Sequence, residues 1–350
     1  MVRRIDTTAL TPDESGALTP DRAAEEIARG LSGELLRLSR SRSRDAAARG
    51  DALGSVEASR DTLLQSSRSA IAAAKADARR AVALAPHSGH THALLASAIA
   101  EEIVNGYAAD LDAARAEALG AAEQSLLLSP DDHAVLKYAG HALAICGEHE
   151  HAERVLRRAL DLNRYDDGAR GYLGWVLAPS TSQEHLDEAT AALDALLAAT
   201  HKHPGRPFWF LHRAVALTCR SDFEGALTAA RSAVNFSPNL TLAWLHAVNA
   251  LGQLGRTSEA RALIERCPLD LARPGVAWHT VIRLISRDER AAELRTAGLR
   301  CVGLVAAAPS AAGAETLLQG QFIALWRRAG SLDAAAAERV CRAVFERYTD

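Results

Sequence analysis

HAVLKYAGHALAICGEHEHAERVLRRALDLNR, residues 133–164, is the stretch from which the fold can be read. Leu136, Ala139, Gly140 and Leu143 recur at three- and four-residue spacing, so they share one face of a helix. Ala152, Leu156 and Ala159 do the same on a second helix. Between them, Cys146-Gly147-Glu148 offers a glycine where the first helix must stop and the chain reverse. Gly140 and Ala152 are small residues placed where two paired helices approach closely. The stretch is a helix pair.

The same unit recurs along the chain. The small residue of the second helix returns at Ala74, Ala118, Ala152, Ala189, Ala226 and Ala260, in steps of 44, 34, 37, 37 and 34 residues. Prolines that close the second helix stand at Pro86, Pro130 and Pro238, with Arg164 in the corresponding place of DLNR. A period near 34 residues is the mark of helix-turn-helix repeats that stack into a solenoid. A single AxxxLxxA match in an alanine-rich chain carries little, but a series in phase predicts an all-α chain, a right-handed α-α solenoid of about five helix pairs.

Composition agrees. Of 350 residues, 48% are hydrophobic but only 5% aromatic, and alanine and leucine supply most of the apolar content. A net charge of −3 gives no field that would recruit nucleic acid or an anionic membrane, so a partner must be recognised locally. Five cysteines without a CxxC pair suit a reduced compartment, and the N-terminus lacks the apolar stretch of a signal peptide. The expectation is a cytoplasmic protein without membrane spans.

The pattern at 133–164 and 210–238 resembles the tetratricopeptide repeat family, with its small residues at the helix crossing and its closing proline. ADARRAVALAP, HAERVLRRALDLN, GALTAARSAVNFSPN, ALGQLGRTSEARALIER and RAAELRTAGLR look more narrowly like the C-terminal repeats of bacterial class III adenylate/guanylate cyclases and of winged-helix, TolB-like regulators. That resemblance implies an interaction region serving an effector. The chain shows neither paired metal-binding aspartates in a cyclase-like strand nor a winged helix, so cyclase activity and DNA binding do not carry over.

The period divides the chain into an N-terminal segment at 1–19, lead helices at 20–69, a repeat array at 70–268, a continuing helical segment at 269–304 and a C-terminal helical cap at 305–350. Leu317, Leu318, Phe322, Leu325 and Trp326 give the last part an apolar stripe, which either caps the array or forms a homodimer.

Catalytic chemistry finds no support. His87, His90 and His92, His149 and His151, and His201 and His203 cluster without the HExxH or Cys/His spacing that gathers ligands round one metal. No GxSxG or glycine-rich phosphate loop occurs. The expectation is a non-enzyme with no cofactor and no metal. Function then falls to the concave face, lined by the first helix of each pair. One ladder of equivalent positions there runs Ser97, His141, Trp175, Val215, Asn249, and Lys137 lies one turn before His141. Lys137, His141, Trp175, Asn249 and Ser97 are the candidate contacts for a protein or peptide partner. The alternative is a regulator that senses a small molecule in the same groove and acts on transcription or cyclase signalling.

Overall fold

The structure is a computed structural model that describes residues 59–199, 203–273 and 276–305. The lead helix expected from Pro20, the basic cluster at Arg37–Arg49 and the C-terminal cap fall outside the described residues.

After a helical turn at residues 59–63, the described chain is helical with no strand. α1 (Arg68–Leu84) is followed by five pairs. These are α2 (Gly89–Val104) with α3 (Leu111–Leu128), α4 (His133–Ile145) with α5 (His149–Leu162), and α6 (Asp167–Leu177) with α7 (Gln183–Ala199). The series ends with α8 (Arg206–Cys219) paired to α9 (Phe223–Phe236) and α10 (Thr241–Gln253) paired to α11 (Thr257–Arg266). Each helix packs on the next, and the first helices α2, α4, α6, α8 and α10 also pack on one another in series. The first helices therefore form the inner wall of a solenoid of tetratricopeptide-type pairs, and the second helices the outer wall.

Local chemistry explains the joints. Asp110, Asp132, Asp166 and Asp222 cap α3, α4, α6 and α9 by accepting from first-turn backbone amides. At the turns inside pairs, Gly106, Gly147 and Gly255 adopt φ of +64°, +86° and +73°. There the amide two residues past the helix reaches back six residues, as from Glu148 N to Leu143 O at 2.9 Å. Ser221 takes the same conformation at φ +63° without being glycine. The third pair breaks the rule, its turn at residues 178–182 holding Pro179 and no glycine.

Packing within a pair depends on small residues. Ala74, Ala118, Ala152, Ala189, Ala226 and Ala260 are all fully buried. A Cβ on Gly140 would lie 2.7 Å from Leu156 Cγ and 3.4 Å from the Ala152 carbonyl oxygen. On the outer wall, where second helices stand further apart, long ion pairs span the gap. Arg79 reaches Glu117 at 2.8 Å and Arg157 reaches Glu188 at 2.8 Å. These pairs are exposed and contribute little to stability, typically about 0.2–1 kcal/mol each.

Beyond α11 the chain stops extending the array. Residues 269–304, which the period reads as a continuing helical segment, return along the turns of the first three pairs. Arg273 donates to the Gly106 carbonyl and lies 4.9 Å from the Tyr107 ring centroid. Trp278 opens α12 (Trp278–Leu284) and stands where a Gly106 side chain would be, and Leu284 does the same at Gly147. Arg287 N donates to Pro179 O at 2.8 Å, and Thr181 N donates to Asp288 at 2.8 Å. Asp288 then caps α13 (Glu289–Cys301), which packs against α10 and α8 on the inner wall.

The close approach at Gly140 is open to direct test. Gly140→Leu is expected to destabilise the protein by at least about 1–3 kcal/mol, since the added side chain overlaps Leu156 in a packed core. Urea unfolding monitored by circular dichroism measures it; an unchanged midpoint would show the pair crossing to be loose.

Candidate partner-binding groove

The inner wall places every candidate residue, but none of them is open to solvent. Ser97, His141, Trp175 and Asn249 are 4%, 6%, 3% and 0% exposed. Lys137 is held in an ion pair with Asp166 at 2.9 Å. Asp166 is already the cap of α6 and also faces His133, so Lys137 ties α4 to the start of the next pair. Burial opposes both charges. The neighbouring Tyr138 and Asp166 more than offset it for Lys137, whose ammonium is stabilised, and Lys137 and His133 hold the Asp166 carboxyl below its usual range.

Side-by-side contact between His141 and Trp175, one repeat apart, is what the 34-residue period implies. The rings meet diagonally instead. His141 stacks on Tyr172 with centroids 4.1 Å apart, and Trp175 meets His212 at 5.0 Å. Each ladder residue thus touches the neighbouring helix one turn earlier, because successive first helices are staggered. A second ladder emerges, Tyr138, Tyr172, His212 and His246, three residues before the first. Its signal was present in the sequence, since Tyr138 and Tyr172 stand 34 residues apart and so do His212 and His246.

This interior is polar yet dry. Burial lowers His141 and His212 to about 3, and the flanking His149 to about 4. It also takes His246 well below its ordinary range. These imidazoles are neutral at pH 7; His212 Nδ1 donates to the Gly171 carbonyl at 3.0 Å. Burial raises Glu101 to about 7, partly offset by the Asn105 amide that donates to it at 3.2 Å.

Two segments of the chain itself cover the ladders. At one end the Arg60 guanidinium lies 3.9 Å from the Tyr138 ring centroid, and Asn239, before α10, donates to Gln65 O at 3.3 Å. At the other end is α13. Asn249 Nδ2 donates to Leu294 O at 3.0 Å, while Gly298 N donates to Asn249 Oδ1 at 2.9 Å. A helix would ordinarily bond that carbonyl and that amide to each other, so Asn249 brackets one rung of the α13 ladder. Gln253 adds a second donor to Leu294 O at 3.0 Å. Arg295, fully buried, donates to Ile285 O and Ser286 Oγ at 3.1 and 2.8 Å, and its guanidinium stands 5.8 Å from the Trp175 ring centroid.

The histidine clusters are dispersed. His90 faces Asp132 at 3.0 Å, His92 bonds the Pro86 carbonyl, His151 faces Glu123 at 3.4 Å and His203 stacks on Trp209. His201 lies outside the described residues. Among the described residues no three His, Cys, Asp or Glu side chains converge as metal ligands would. Cys146, Cys219, Cys267 and Cys301 are free, and burial pushes the Cys146 and Cys219 thiols up to about 12, far from a reactive thiolate. No helix among the described residues is long and apolar enough to cross a membrane.

No family model and no curated protein matches the chain. Among solved structures it is similar to pilF of Pseudomonas aeruginosa, at 17% identity over 65% of this chain and 92% of that one, with a TM-score of 0.39. A tetratricopeptide repeat protein from Parabacteroides merdae is 16% identical over 77% and 98% of the two chains, at 0.40. YrrB, described as a TPR protein with an unusual peptide-binding site, is 23% identical over 59% and 96%, at 0.32. All three scores lie below 0.5, and the helix pairing described above, not the overlay, defines this chain's architecture.

Glu101 gives a pH signature of opposite sign to that of the histidines. Buried neutral imidazoles contribute stability that is present above their ordinary 6.5 and is lost as pH falls toward 3–4. The raised Glu101 contributes stability that is present below 4.5 and is lost as pH rises through about 7. Glu101→Gln, which keeps the acceptor for Asn105, is therefore expected to gain stability over the wild type as pH goes from 5 to 8, on the order of 1–3 kcal/mol. Thermal melts at both pH values decide it; an equal offset at both would mean that Glu101 is solvated.

Proposed function

We propose that the chain is a non-catalytic scaffold that binds a protein or peptide partner on the inner wall of the solenoid and serves a separate effector. The observation that carries this reading is the bracketing of α13. The inner wall holds a polypeptide segment through side-chain amides on its backbone, Asn249 and Gln253, beside rings and a buried arginine. Rings with amide side chains suit polypeptide recognition, the rings supplying contact area and the amides satisfying backbone groups that would otherwise be desolvated.

The test uses a photo-crosslinking phenylalanine derivative at Tyr138, which is half-buried on α4, and at Arg158, which is exposed on α5 and paired with Asp131. Irradiation of the full chain in its native cells, followed by mass spectrometry, is expected to join a discrete partner to the Tyr138 position and not to Arg158. A partner joined at Arg158 alone would place recognition on the outer wall and remove this reading.

A further inference from the structure

The seat of α13 differs in kind from the other helix contacts of the array. Its buried residues are mostly small or polar, Ala291, Ala292, Thr296 and Gly298 among them, and only Leu294 and Leu299 bring large apolar side chains. Burial of such a face removes little apolar surface from water. Its deepest side chain works against it. Arg295 is 0% exposed with no carboxylate among its partners, and its Nε has no hydrogen-bond partner. The nearest ring nitrogen, His246 Nε2, is 3.5 Å away at the limit of a hydrogen bond, and His246 Nδ1 is also unpartnered. A buried cation without a counter-ion is expensive.

The geometry that remains is specific. Gly298 lies on the α10 backbone at Asn249 and Gly252, so that a Cβ at Gly298 would run into the Asn249 carbonyl and one at Gly252 into Gly298 itself. Backbone bracketing by Asn249, a glycine-to-glycine crossing and a polar slot for an arginine three residues earlier together describe a reader of a helix.

We propose that the face of α8 and α10 is a helix-docking site, that α13 is its resident ligand in cis, and that it takes from a partner a helix with an arginine three residues before a glycine. This deepens the scaffold reading and rests on it. Partner access is then governed by release of α13, which the strap through residues 271–288 keeps tethered beside the groove.

A labelled peptide of residues 286–303 tests the site by fluorescence anisotropy against the full chain, wild type and Gly298→Leu. The variant, with its own helix expelled, is expected to keep a cooperative helical melt and to bind the peptide at least tenfold tighter than the wild type. A peptide carrying Gly298→Leu is expected to bind neither. A folded variant that binds no peptide overturns the proposal. Should the variant lose its cooperative melt, hydrogen exchange of the wild type decides. The α13 amides are expected to exchange at least tenfold faster than those of α8 and α10, and equal protection across the three helices overturns the proposal. Peptide binding by the variant, with no partner crosslinked from Tyr138, would leave the docking site standing and remove the scaffold reading.

Discussion

Everything in this molecule depends on how closely two helices of a pair can approach. With alanine or glycine at each crossing, backbones come near enough for leucine side chains such as Leu156 to fill the space between them. The thin pairs then stack with their first helices in mutual contact, and an inner wall results. A larger residue at the crossings would separate the helices and dissolve the regular stagger from which the ring contacts arise. The alanine-rich composition is thus the material basis of the inner wall.

What fills that wall is the less expected part. The aromatic and histidine ladders lie within the solenoid, and the chain spends its last described helix covering them. Neutral imidazoles are suited to such a place, because they offer one donor and one acceptor without the cost of a buried charge. Arg295 is the exception, carrying a cation into the same environment with burial lowering its guanidinium to about 10.

Helix pairs were legible because their determinants are local: three- and four-residue spacing, a glycine at the turn, an aspartate cap. The repeat of Asp132 at Asp166 and of Gly147 near Ser221 follows the same period. The inner-wall positions were legible for the same reason, as equivalent points on equivalent helices. Their environment was not. Nothing in the spacing of Asn249 or Trp175 announces that residues 294–298 will lie on them, since that contact joins segments 45 or more residues apart and depends on the chain reversing after α11. The ring partners were misjudged by one turn because a period gives equivalence between helices and not the stagger between them.

Repeat arrays usually form neighbour by neighbour, so that each pair is complete when the next has been made. Here the turn at Gly106 finds its cover, Arg273, only 167 residues later. On a ribosome that adds about 5–20 residues per second, the first pair waits on the order of ten seconds or more for that cover. Synthesis therefore produces an open coil first, and the last-made segment fastens it shut from the end where it began.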